Sequence, residues 1–155
     1  MLPDLRADAQ LALLWGPSRR LITTVGTTIV DAKRGYSDVG GLLSLTAYLA
    51  PGVVMEVGER LTTSSPGDVN SARTNAALTL GTEGTAYFVV RGSAGEEGYQ
   101  LIGPATTIRK FNSQEGSVSW RQWLGKRGGF LVQGDRYSND LYSRSGVSVG
   151  GFIDW

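Results

Sequence analysis

Two carboxylates held a few ångströms apart are all that glycoside hydrolysis requires of a protein. The acidic pairs of this chain are therefore the first residues to test for chemistry. Glu56 and Glu59 stand in the alternating run VVMEVGERLT (53–62), where a spacing of three puts them on opposite faces of a strand. Adjacent Glu96 and Glu97 fall in GSAGEEGY, a glycine-flanked stretch that reads as a turn of solvated acids. Asp135 and Asp140 bracket RYSN in GDRYSND (134–140). With Asn139 they offer oxygen ligands suited to Ca²⁺, but the spacing is not that of an EF-hand loop, and a turn capped by Asp and Asn explains the same residues. No residue is assigned a catalytic, cofactor-binding or metal-binding role.

The chain has no cysteine and no histidine. Disulfides, thiolate chemistry, Cys/His zinc sites and histidine-based triads are thereby excluded. A serine nucleophile would need a lysine base, and none of Lys33, Lys110 and Lys126 follows a serine by three residues. The expectation is a non-enzymatic protein, with an Asp/Glu-only hydrolase as the remaining catalytic reading.

The densest aromatic and basic segment is SVSWRQWLGKRGGF (117–130). Residues 109–127 hold Arg109, Lys110, Arg121, Lys126 and Arg127 against one acid, Glu115. Cations interleaved with aromatics suit single-stranded nucleic acid or a sugar phosphate, through stacking and charge neutralisation. The plainer reading makes GSVSW a strand with Val118 and Trp120 facing the core, and LGKRGGF a turn. What remains is a basic rim of Arg121, Trp123, Lys126 and Arg127, expected to meet another protein subunit. Phe152 and Trp155 in GGFIDW join this candidate interface, because terminal aromatics seated in a pocket make strong anchors. A terminal aromatic is also the ending of outer-membrane barrel strands. The chain start, MLPDLRADAQLALLWGPSRR, shows no export signal, and its apolar stretch Leu11–Trp15 is short. Ten-residue lipid-facing alternation is not evident either. A membrane barrel is accordingly not expected.

The elements that must position these residues are β-strands. Short runs of β-forming residues recur at 21–30, 53–62, 74–81, 85–92, 99–103, 105–111, 116–120, 129–135 and 147–155, bounded by Gly, Pro, Ser or Asp. They predict a mainly β fold: an antiparallel sandwich or barrel of about eight or nine strands. Two short helices are predicted beside it. One covers 3–14, from Pro3 and Asp4 with Leu5, Ala9, Ala12 and Leu13 on one side; the other covers 42–49, from Leu42, Leu45 and Leu49. The stretches 62–71 and 92–99 read as exposed loops. At 155 residues the chain is expected to be a single β-rich domain, with 1–20 as an arm or helix and 147–155 as a closing strand or docking tail.

A net charge of +1 argues against broad polyanion binding, and no apolar run approaches the ~20 residues of a membrane helix. Glycine supplies 22 residues, Ser and Thr 27, and arginine 12 of the 15 cations. Arginine is favoured over lysine at protein interfaces. In general style the chain resembles a virion building block: a bacteriophage capsid, decoration or tail protein. That resemblance implies a self-assembling homo-oligomer that also binds other structural subunits. No cofactor, no membrane span and no nucleic-acid partner is expected, and the expected location is the virion, assembled in a host cytoplasm, or otherwise the cytoplasm. The alternative is a carbohydrate- or nucleic-acid-binding β module using residues 109–127.

Overall fold

The computed structural model describes residues 3–32, 36–101 and 107–153. They form nine strands: β1 (Pro3–Trp15), β2 (Leu21–Ala32), β3 (Tyr36–Ala50), β4 (Val53–Ser65), β5 (Val69–Thr82), β6 (Ala86–Leu101), β7 (Thr107–Trp123), β8 (Gly128–Asn139) and β9 (Ser143–Ile153). All nine belong to one sheet in the order of the chain, each antiparallel to the next. The fold is mainly β, as composition and periodicity predict.

Both expected helices are strands instead, and no helix occurs among the described residues. The helical reading of 3–14 grouped Leu5, Ala9, Ala12 and Leu13, which in the structure are split between two faces. Leu5, Ala7, Ala9, Leu11, Leu13 and Trp15 repeat with period two, and β1 pairs with β2 along almost its whole length. Residues 42–49 lie inside β3, which bonds to β2 on one side and β4 on the other. Two ladders satisfy more of that backbone than a two-turn helix beginning at Gly40-Gly41 would.

Several expected breaks are not breaks. The polar stretch 62–71 is mostly strand, interrupted only by the turn at 66–68, and 92–99 runs straight through β6. The run at 116–120 and the end of the run at 105–111 are one element, β7, of 17 residues. The strands are 11 to 17 residues long. Gly, Ser and Thr were read as punctuation, but here they occupy strand interiors.

Register sorts the side chains onto two faces. One carries Arg6, Asp8 and Gln10 of β1, Ser44 and Thr46 of β3, Glu56 and Arg60 of β4, and Arg73 and Asn75 of β5. It continues through Arg91, Ser93 and Glu97 of β6, Ser113, Glu115 and Ser117 of β7, and Asp135 and Tyr137 of β8. The other carries Leu11, Val25, Leu43, Leu45, Met55, Val57, Leu78, Val90, Val118, Val132, Val147 and Val149. The distribution of burial is inverted relative to a water-soluble protein. The buried residues Ser44, Ser64, Val89, Phe111, Ser113, Trp123 and Tyr137 all lie on the polar face, while most large apolar side chains are exposed, up to 81 % at Val147. The exceptions on the polar face, such as Leu14, Tyr48 and Leu131, sit near strand ends.

The polar face is crowded because the sheet curves toward it. A side chain at Gly58 would come within 2.9 Å of Ser44 Cβ and 3.1 Å of Asn75 Oδ1, both on neighbouring strands. The strands are also staggered. The lateral row that starts at Trp15, the last residue of β1, passes through Ala47, Leu78 and Val118 and reaches Val147, six residues short of the β9 end at Ile153. Stagger of this kind tilts the strands, as a sheet curling toward a barrel requires. Gly95 is a point of close approach between β6 and β5. At φ +149° its missing Cβ leaves room for the Ala72 carbonyl and for Arg73 Cα, 2.7 Å from where a Cβ would stand. Gly95→Ala is therefore expected to cost about 1–3 kcal/mol, read as a lower midpoint of urea unfolding.

Candidate functional site

On the polar face, four strands meet in one hydrogen-bonded network centred on Arg73 of β5. Its guanidinium reaches Glu97 Oε1 of β6 at 2.5 Å, Ser113 Oγ of β7 at 2.6 Å and Ser93 Oγ of β6 at 2.8 Å, with Glu115 Oε2 at 3.4 Å. Ser113 also donates to Glu97 (2.5 Å), as does the Tyr137 hydroxyl from β8 (3.2 Å), which in turn accepts from the Asn139 amide (3.3 Å). Two carboxylates thus flank one guanidinium, and the hydroxyls occupy the remaining donor and acceptor positions. Ser113 is only 2 % exposed. A network of this kind holds four strands in register. Beside it, a cleft of about 240 Å³ is lined by Glu56, Asn75, Arg91, Ser93, Glu115 and Ser117. Opposite charges alternate across it.

A second cluster on the same face lies near the β7–β8 turn. The Arg121 guanidinium sits 4.6 Å from the Trp123 ring centroid and 4.0 Å from that of Phe152. The two rings meet edge to face at 5.2 Å, and Tyr87 lies 5.8 Å from Trp123. The structure thus brings Arg121, Trp123 and Phe152 together, and Trp123 is buried. Lys126 and Arg127 are apart from them, exposed on the turn 124–127. Trp155 lies outside the described residues.

Trp120 faces the opposite way from its expected place in a core. It belongs to an aromatic row on the apolar face, stacked on Phe88 at 5.5 Å and edge-on to Phe130 at 4.9 Å. Trp15 lies on that face too, its indole N–H donating to Thr23 Oγ1 (2.9 Å). This face becomes polar toward the opposite strand ends, at Asp31, Ser65, Asn70, Glu96, Gln114, Arg136 and Ser143. The boundary runs obliquely, following the stagger. Glu59 is a carboxylate within the apolar band, and the Thr74 hydroxyl donates to it at 2.5 Å.

The remaining acids resolve individually. Glu56 and Glu59 are on opposite faces, as their spacing predicts. Glu96 and Glu97 are strand residues, not solvated turn acids; Glu96 pairs with Lys110 at 3.3 Å and Glu97 with Arg73. In 134–140, Asn139 Oδ1 accepts from the backbone N–H groups of Leu141 and Tyr142, both at 2.9 Å, which makes it a turn cap. GVSVG (146–150) has the G-x-S-x-G spacing of a nucleophile elbow, but Ser148 is mid-strand in β9, without the strand-to-helix turn that exposes such a serine. No cluster of three potential metal ligands occurs among the described residues. Sequence reading missed the Arg73 network. R-x-N at 73–75, R-x-S at 91–93 and S-x-E-x-S at 113–117 set polar residues at period two, which marks a polar face of each strand but not which residues meet across strands.

Against known proteins, a family model described as the YaiO membrane beta barrel domain matches residues 1–100, well over half of the chain. No curated protein and no solved structure matches. The family match overturns the expected bacteriophage structural role and, with it, the virion or cytoplasmic location. For the alternative of a binding module on residues 109–127, the structure puts Trp120 on one face of β7 and Arg121 and Trp123 on the other, so those side chains do not share one surface. The expectation of no membrane span is corrected for a physical reason: strands, unlike helices, cross a bilayer without any long apolar run, because only alternate residues face lipid. With its apolar outer face, polar inner face and staggered antiparallel strands, the chain belongs to the YaiO membrane β-barrel domain family.

Proposed function

We propose that this chain forms the wall of a non-enzymatic β-barrel in an outer membrane, its apolar face against lipid and its polar face lining the interior. One observation carries the reading: large apolar side chains are exposed on one face of a sheet whose buried residues lie on the other. In water, that arrangement would leave a very large contiguous apolar surface. In a bilayer it is the stable one. The strand lengths of 11 to 17 residues suffice, since a tilted strand spans with about 9–11. The row of Trp120, Phe88, Phe130 and Trp15 corresponds to the aromatic girdle that barrels place at a membrane–water boundary. The one continuous sheet supports treating residues 1–155 as a single unit. Within this reading, Arg121, Trp123 and Phe152 fill one mouth of the interior, and the exposed Lys126 and Arg127 are the part of the expected interface placed to meet another protein.

The interior face is mixed in charge. Arg60, Arg73, Arg91 and Arg121 are interspersed with Glu56, Glu97, Glu115 and Asp135. Such a lining suits water and polar contents and sets up no strong field of one sign. Fluorescence quenching by lipids brominated in their acyl chains tests the assignment of faces. With the other tryptophans replaced by Phe, Trp120 is expected to lose most of its emission in brominated bilayers, and buried Trp123 to lose little. Equal quenching of the two would sink the reading.

A further inference from the structure

We infer that the barrel wall is completed by an odd number of further membrane-spanning strands, inserted between β9 and β1 and antiparallel to both. This rests on the membrane-barrel reading. The nine strands form a continuous antiparallel meander, so β1 and β9 run in the same direction. Among the described residues the two do not contact each other. Each is therefore an edge, and alternate N–H and C=O groups along it point away from the sheet. Hydrocarbon offers those groups no partner, which is why spanning sheets close.

Direct closure of β9 on β1 would make a parallel pair in a wall whose every described pair is antiparallel. A second copy does not remove the conflict. Copies inserted in the same sense present β9 of one to β1 of the next, again parallel. Only an odd number of intervening strands restores antiparallel pairing at both seams, and it brings the total to the even number usual for such barrels. The occupant is thus a strand of defined chemistry, membrane-length and alternating. Its apolar residues would continue the row of Leu5, Leu11 and Leu13 on one side and of Val147, Val149 and Ile153 on the other. Val147 and Val149 are the most exposed large apolar residues described, at 81 % and 74 %. Its polar residues would face the interior beside Asp8 and Ser148.

The chain has no cysteine, so disulfide mapping has no background. In native membranes carrying the full chain, the pairs Ala9→Cys/Thr27→Cys and Val132→Cys/Val149→Cys join residues directly opposite each other and are expected to cross-link on oxidation. Ala9→Cys combined in turn with Val147→Cys, Val149→Cys and Ile153→Cys is expected to give no cross-link. Hydrogen exchange on the same membranes is expected to show the outward amides of β1 and β9 protected as strongly as those of β5. A β1–β9 disulfide within one chain would overturn the inference in favour of self-closure. A disulfide-linked dimer through the same positions would overturn it in favour of joined copies, and unprotected edge amides would overturn it outright. Release of the protein by alkaline carbonate would instead defeat the membrane-barrel reading itself, and the inference with it.

Discussion

Leu45→Arg is expected to weaken the folding of the protein into membranes by about 2–4 kcal/mol, whereas Thr46→Arg, one residue along, leaves it unchanged. The two positions are adjacent in β3 but face opposite ways. Leu45 lies in the apolar band beside Leu43, Val57 and Thr23. An arginine on the lipid face near the bilayer midplane costs about 2–4 kcal/mol, a large fraction of the stability of an ordinary domain. Thr46 faces the interior, where its hydroxyl already approaches Glu56 Oε2 at 3.4 Å, so an arginine there gains a carboxylate partner in contact with water. Urea titration of protein folded into vesicles measures both effects. The expected result is a fall of about 2–4 kcal/mol for Leu45→Arg and a change within about 0.5 kcal/mol for Thr46→Arg. If the order were reversed, the two faces would have been assigned the wrong way round.

Removal of both partners of the Arg73–Glu97 pair is expected to cost less than the sum of removing each alone. Arg73→Ala leaves Glu97 beside Glu115 without a cation; Glu97→Ala leaves Arg73 with only the longer contact to Glu115 and its serine bonds. The side chains are 21 % and 29 % exposed, so interior water screens the loss and the figure for a fully buried pair does not apply. About 1–3 kcal/mol is expected for each single substitution, the range of hydrogen bonds to charged groups. The double substitution is expected to fall short of their sum by about 1 kcal/mol or more, since the residues touch. Unfolding midpoints of the four proteins in one detergent complete the cycle; strict additivity would remove the network from any role in holding β5 to β8 together.

Much of this wall was legible one strand at a time. The alternation of Val53, Met55 and Val57 against Glu56, and of Ala76, Leu78 and Leu80 along β5, identified half-buried strands and the opposite facing of Glu56 and Glu59. Boundaries were less legible, because Gly40, Gly41, Gly92 and Gly116 break a local pattern without breaking a strand. Their cost is local and small, whereas the ladders on both sides supply hydrogen bonds along the whole element. The helices at 3–14 and 42–49 failed for the same reason. Leucines spaced three and four apart satisfy a helical template, and only pairing with β2 and β4 shows which of them share a face.

The Arg73 network was not legible at all. Its members come from positions 73, 93, 97, 113, 115 and 137, and no spacing in the chain signals that four strands in this register bring them within hydrogen-bond reach. Glu97 illustrates the difficulty. Flanked by glycines, it reads as a solvated turn acid, yet the long β6–β7 pairing places it against a guanidinium.

By itself, the sequence determined that the protein is built of β-strands, that it lacks histidine and cysteine chemistry, and that Val118 and Trp120 share a face opposite Ser117 and Ser119. It could not say what covers that face. Period-two alternation is the same whether an apolar row meets a protein core or lipid, because both remove it from water at comparable gain. The tertiary structure decided the matter through curvature and register. Bending toward the polar face buried Ser113, Tyr137 and Trp123 inside and left Leu43, Val90 and Trp120 outside, where the only solvent that suits them is a bilayer.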